Sequence, residues 1–436
     1  FQEKESLMIA LDFIRNFQLN DAPSSAIEKC KLSLLDLIGV ASVGRKTKLS
    51  AIICNHVTEG FAGQLPMLFC PRKASAQGVA LAAGMTIDSI DAHDGFNPAK
   101  GHIGCPLFPA VLAIALEQEI SGKEFLATLL MGYEFGARVA MAQHGTVPDY
   151  HTSGSWGAVT AAAACARLMK LTAEGTRHAL GIAEYHAPRS QMMRCIDHPT
   201  MLKDGSGWGA MTGVSAAKLA EKGFTGAPAL TVEDADIYWS DLGQRWYMNE
   251  QYYKPYPVCR WAQAPIEGAR KLMRTNDFVT DEIAKIEVET FHEAVRLATD
   301  CPKTTEQAQY STSFPVAVAL ARGDVTVQDI SEDALNDHNI IRLSKCLIMQ
   351  ESEEANTNFP AQRLAKVKIT LIDGRVYIGD WTEPRWDSKN PPSAAELIEK
   401  FHTLANPVLG TLRAESIKEV VQDLDSKHSR ELTYYL

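Results

Sequence analysis

Two stretches of the chain, GAVTAAAACARLMK at 157–170 and GWGAMTGVSAAKLAEKG at 207–223, are rich in alanine and glycine. Helices with such narrow side chains can approach one another closely, so the pair predicts a tightly packed helical body. Neighbouring segments agree with this. DAPSSAIEKCKLSLLDLIGVASVG places Pro23 near a helix start and Gly44 at its stop. Ser121-Gly-Lys-Glu124 is a capping-box pattern opening FLATLLMGYEFGARVAMA. The character changes after about residue 255. EIAKIEVETF and RLAKVKITLIDGRVYIGDW alternate in the manner of strands, and Asp373-Gly374 between two such runs signals a hairpin. PRWDSKNPPSAAELIEKF is a proline-bearing linker into one more helix. A chain of 436 residues is too long for one simple core. The expected fold is therefore mainly α with α+β: a large helical domain over 1–255, rejoined by 396–436, and a smaller α+β domain over 256–395.

Several classes of function drop out. No apolar run approaches the roughly 18 residues of a membrane helix. FQEKESLMIALDFIRNF reads as an amphipathic helix without the basic start of a signal peptide, so a cytoplasmic protein is expected. Phe1 is not an initiator methionine, which leaves room for residues ahead of it. A net charge of −10 without a basic block argues against nucleic acid as a partner, while a small anion remains compatible with a local concentration of cations. The nine cysteines are scattered and never spaced C-x-x-C, which signals neither a disulfide framework nor a cysteine-held zinc or iron–sulfur centre. There is no Walker loop and no G-x-S-x-G elbow, and GSGWG around Gly205 lacks the preceding strand of a dinucleotide site. No cofactor is expected.

What remains is acid–base chemistry in three turns. DAHDGFNPAKGHIGCPLFPA, at 91–110, crowds Asp91, His93, Asp94, Lys100 and His102 between two apolar segments. Carboxylate and imidazole suit a divalent ion, yet no helical or hairpin spacing converges them, and no metal is expected. Histidine titrating near neutral pH beside acids favours proton transfer instead. DYHTSGSWGAVTAAAA sets His151 before a helix start whose N–H groups attract anions. CIDHPTMLKDGSGWGA holds His198 and Lys203 before another such start, where a lysine ordinarily reads as a solvated charge.

These turns also carry a resemblance. In order, CKLSLLDLIGVASVG, GHIGCPLFPAVLAIALEQEISGKEFLATLLMGYEFGARV, HTSGSWGAVTAAAACARLMKL, MLKDGSGWGAMTGVSAAKLAEKGFTGAP, YKPYPVC and AQYSTSFPVAVALARGDV resemble the MmgE/PrpD family nearly end to end. Its members include 2-methylcitrate dehydratase, cis-aconitate decarboxylase and iminodisuccinate epimerase. The resemblance implies the family's two-domain fold, a homodimer and a small anionic carboxylate substrate. By position it implies active-site roles for His102, with Ile103 where the family has proline, and for His151, Lys203 and Asp91. Two departures stand out. Phe314 ends Ala308-Gln-Tyr-Ser-Thr-Ser-Phe314 where many members have tyrosine, and Arg260-Trp-Ala-Gln263 follows KPYPVC where members often carry histidine. Arg260, Gln263 and His93 are the candidates for substrate binding.

A proton α to a carboxylate is very weakly acidic, so its removal needs a positioned base and cations for the charge that develops. Loss of a β-leaving group then gives a dehydratase, reprotonation an epimerase, and loss of CO₂ a decarboxylase. The expectation is a metal-independent lyase, specifically a dehydratase, with His102 as base, His151 as donor and Lys203 holding a carboxylate. An epimerase of a substituted succinate is the second expectation, and a non-catalytic carboxylate-binding relative the third.

Overall fold

Small residues decide how the helices pack. In this computed structural model, which describes residues 5–297 and 299–436, the Ser206–Glu221 helix lies against four others. These are Ala76–Asp88, Gly104–Glu117, Ser153–Leu168 and Ala173–His186. The approach is backbone to backbone. A Cβ added at Gly84 would lie 2.5 Å from the Gly207 Cα, and one at Gly154 would lie 2.2 Å from the Gly205 carbonyl oxygen. Even alanine would push these helices apart. The Ser153–Leu168 helix is buried along its whole length, as befits a helix apolar on every face.

Around this centre, Ser121 caps the Gly122–Thr146 helix by accepting from the Glu124 N–H at 3.1 Å. The Ser24–Gly44 helix starts directly after Pro23. It is covered by Ala394–Leu409, with Gly39 turned to Phe401, and Thr411–Gln422 packs against it too. The end of the chain thus lies on its beginning. A short antiparallel ribbon, β1 (Leu65–Met67) with β2 (Cys70–Ala74), is absent from the sequence reading, because both strands are brief and each contains proline.

After residue 255 a four-stranded sheet forms in the order β4-β3-β5-β6, from β3 (Ile283–Thr290), β4 (Leu347–Glu351), β5 (Ala365–Leu371) and β6 (Val376–Ile378). In β5, Ala365, Val367, Ile369 and Leu371 are buried, the period-2 pattern of a one-sided strand, and β5 packs against the Arg260–Thr275 helix. The β5–β6 pair is antiparallel and turns through Asp373 and Gly374, whose φ of +89° glycine adopts freely. β4 pairs parallel with β3, which requires the long crossover between them. Among the described residues no helix is long and apolar enough to cross a membrane.

Candidate active site

The loop between the Ala76–Asp88 and Gly104–Glu117 helices is pinned by backbone pairing. Phe96 donates to the Gly101 carbonyl at 2.9 Å, and Gly95 and Tyr252 exchange bonds of 3.1 and 2.8 Å. That exchange sets Lys254 beside Asp91. The buried ammonium pairs with the Asp91 carboxylate and also donates to its carbonyl oxygen at 3.3 Å. From the other side comes Gln309. Its Oε1 accepts from the Asp91 N–H at 2.8 Å and from the Lys203 ammonium at 2.7 Å, while its Nε2 donates to the Ser89 carbonyl at 3.0 Å. One buried amide therefore ties Asp91 to Lys203.

His102 is held by its other nitrogen. Its Nδ1 lies 2.6 Å from the Asp94 carbonyl oxygen. A carbonyl can only accept, so Nδ1 carries the hydrogen and the neutral ring keeps its lone pair on Nε2. That nitrogen faces Asp91 Oδ1 at 3.8 Å. The His102 backbone N–H donates to Ser153 Oγ at 2.9 Å, and the Ser153 hydroxyl donates to Asp204, so the start of the small-residue helix fixes the histidine. Burial, then His93 and Lys254, hold the imidazole well below its ordinary pKa against the opposing pull of Asp91 and the Asp94 carbonyl. Burial would raise Asp91, but Lys254, His102, Lys203 and His93 outweigh it and keep the carboxylate ionised. The site is thus a neutral base beside a charged acid.

Two further acids behave differently. The Asp94 carboxylate takes the Tyr133 hydroxyl at 2.6 Å, so its backbone carbonyl, and not its carboxylate, orients the His102 ring. Burial and Asp36 push Asp94 up to about 6. Burial and Asp88 push Asp204 up to about 7, partly offset by its bonds from Ser153.

Asp91, His102, Asp204, Arg260, Tyr310 and Arg363 line one cavity. Its volume of about 20 Å³ has room for about one water molecule. Lys203 is 2% exposed and sits 4.6 Å over the Tyr310 ring, which corrects its reading as a solvated charge. Its φ of +51° is uncommon for lysine. Arg260, first residue of its helix, pairs with Asp387 and lies 3.9 Å from the Tyr252 ring centre.

Four candidates do not line this cavity: Lys203, which faces a neighbouring pocket with Arg194 and His198, and three others. His93, expected at the substrate, packs edge-on behind His102, with ring centres 4.3 Å apart and its Nε2 3.7 Å from Asp88 Oδ1. Gln263, also expected there, donates to the Tyr256 and Val258 carbonyls at 2.9 and 3.0 Å and holds the bend before its own helix. His151 turns its Nδ1 to the Asp149 carbonyl at 2.9 Å and does not line the cavity, although its neighbour Tyr150 does. The ring was expected at the substrate because it precedes a helix start, but the backbone pairing with Gln191 directs the turn.

Lys254, Gln309, Tyr252, Tyr310 and Arg363 escaped the sequence reading. Lys254 and Gln309 lie within the motifs YKPYPVC and AQYSTSF, and nothing local marks Arg363. Tyr310, four residues before Phe314, supplies a phenol where one appeared to be lost. Burial keeps that phenol protonated. Two sets of donors, Asp88/His93/Cys105 and Asp91/His93/His102, bring their ligand atoms within 4.8 Å of one another. In the second, Lys254 already supplies the cation that balances Asp91.

Residues 10–240 match the MmgE/PrpD N-terminal domain and 256–426 the MmgE/PrpD C-terminal domain. The chain is 24% identical over 453 residues to a cis-aconitate decarboxylase of Aspergillus terreus (strain NIH 2624 / FGSC A1156), covering 94% of this chain and 91% of that one. It is 23% identical over 461 residues to the cis-aconitate decarboxylase-like protein oryM of Aspergillus oryzae (strain ATCC 42149 / RIB 40), covering 95% and 93%.

Proposed function

The chain belongs to the MmgE/PrpD family, and from that premise we propose that it is a lyase. On this reading it takes a proton α to a carboxylate of a small di- or tricarboxylic acid and then expels a β-hydroxyl as water. The observation that carries it is the free basic nitrogen of His102. His102 Nε2 has its lone pair free, its partner nitrogen is locked as a donor, and a carboxylate 3.8 Å away stands ready to balance an imidazolium.

The roles follow from charge. A substrate carboxylate replaces the Gln309 oxygen at the Lys203 ammonium, where it receives a charge-assisted bond. As the α-proton moves to His102, negative charge grows on that carboxylate, and Lys203 is fixed in place to meet it. Tyr310, protonated, and Asp204, half protonated near pH 7, are the acids within reach of a departing hydroxyl. The cations come from the protein itself.

Decarboxylation is the second reading, favoured by the decarboxylases matched along nearly the whole chain. There the C–CO₂ bond breaks, its electron pair stays on the carbon skeleton, and the Tyr310 hydroxyl gives its proton to that carbon and is reprotonated from solvent. A panel of hydroxy- and unsaturated polycarboxylates in D₂O separates the readings by water loss, CO₂ release or deuterium at the α-carbon. Binding without any of the three would leave a carboxylate-binding relative instead.

A further inference from the structure

We propose that Arg260 and Arg363 act together as a two-guanidinium clamp for a second carboxylate of the substrate, remote from the carbon that loses its proton. The inference rests on the reading of the substrate as a carboxylate. Both side chains are buried and both line the cavity. Arg260 gives one terminal nitrogen to Asp387, which also accepts from Asn97 Nδ2 at 2.9 Å, leaving its Nε and Nη1 without an acceptor among the described residues. Arg363 donates through Nη1 to the Pro360 carbonyl and through Nη2 to the Asn97 carbonyl at 3.2 Å, leaving Nε likewise unmatched.

Buried guanidinium N–H groups without acceptors are costly, and a folded protein keeps them where a ligand completes the set. Charge points the same way. Lys100 lines the same cavity, and among the described residues Asp387 is the one carboxylate bonded to either arginine. A planar fork with open N–H positions matches a carboxylate's two oxygens, which lysine or histidine cannot do. Tyr252 fixes the spacing, because its ring touches both Arg260, at 3.9 Å, and His102, with centres 6.4 Å apart. The two carboxylates are therefore joined by a short carbon chain.

The test uses succinate and its monoamide succinamate as probes, with binding read by calorimetry. The wild-type protein should prefer succinate by about 10- to 100-fold, the worth of one lost charge-assisted bond set. Arg363→Gln should reduce that preference to within about threefold, and Arg363→Lys should restore only part of it. Because either variant can fold poorly, the wild type is also treated with phenylglyoxal, which modifies guanidinium groups. Succinate, but not propionate, should protect Arg260 and Arg363 from it. A preference that survives Arg363→Gln, or equal protection by propionate, overturns the clamp. If the enzyme turns over polycarboxylates while Arg363→Gln keeps the preference, the reaction stands and the clamp falls. If nothing is turned over but the preference depends on Arg363, the clamp stands and the lyase falls.

Discussion

Two ionic clusters, one around Arg138 and one around the cavity, differ in one respect. Around Arg138, every group is matched. Its guanidinium donates to the Glu134 carboxylate at 2.9 Å, to Asp241 Oδ1 at 2.8 and 3.1 Å and to the Arg245 carbonyl at 3.1 Å. Glu134 in turn accepts from the Tyr247 and Met248 N–H groups at 3.0 and 2.7 Å. Around the cavity, both nitrogens of His93, one oxygen each of Asp94 and Asp204, and N–H groups of Arg260 and Arg363 have no partner among the described residues. Arg138 and Glu134 are as fully buried as the groups of the cavity. The two differ in whether their hydrogen bonds are complete, which is how a charge kept for structure would differ from one kept for a ligand.

That contrast can be broken by experiment. His102→Ala should lower kcat by about 10²- to 10⁴-fold, the usual worth of a positioned base, with little change in melting temperature. Deuterium exchange persisting at the wild-type rate would remove His102 as the base. Arg138→Ala should do the reverse: a loss of about 3–5 kcal/mol in urea unfolding, since it strands the buried Glu134 carboxylate, with kcat per folded molecule unchanged. An unaltered midpoint would show that saturation does not mark stability.

Asp204 gives a smaller effect with a definite sign. Its pKa is raised from the ordinary carboxylate value to about 7, so the folded state binds the proton more tightly than the unfolded one. Stability from this group is present at low pH and is lost as pH rises from about 4 to about 7. Asp204→Asn should therefore gain melting temperature over the wild type at pH 8 and lose that advantage at pH 5. A pH-independent difference would mean the carboxyl is not held protonated. The smallest effect is expected from EDTA, which should leave turnover unchanged because Lys254 already balances Asp91. Loss of activity restored by one added divalent metal would make the unmatched His93 nitrogens ligands, with Asp88 and Cys105 or with Asp91 and His102.

The small-residue helices, the Asp-Gly hairpin and the loop holding Asp91 and His102 were legible in the sequence because each is a local matter. Side-chain size sets how close helices come, φ sets who can turn, and a run of titratable groups is visible as a run. The cavity was not local. Asp91 meets Gln309 across 218 positions and Lys254 across 163, and Lys203 meets Gln309 across 106. Sequence alone determined which residues were available for chemistry. Only the tertiary structure decided that Lys203 is buried, that Arg363 belongs to the site and that His93, His151 and Gln263 face other partners, because a side chain's environment is made by residues far along the chain.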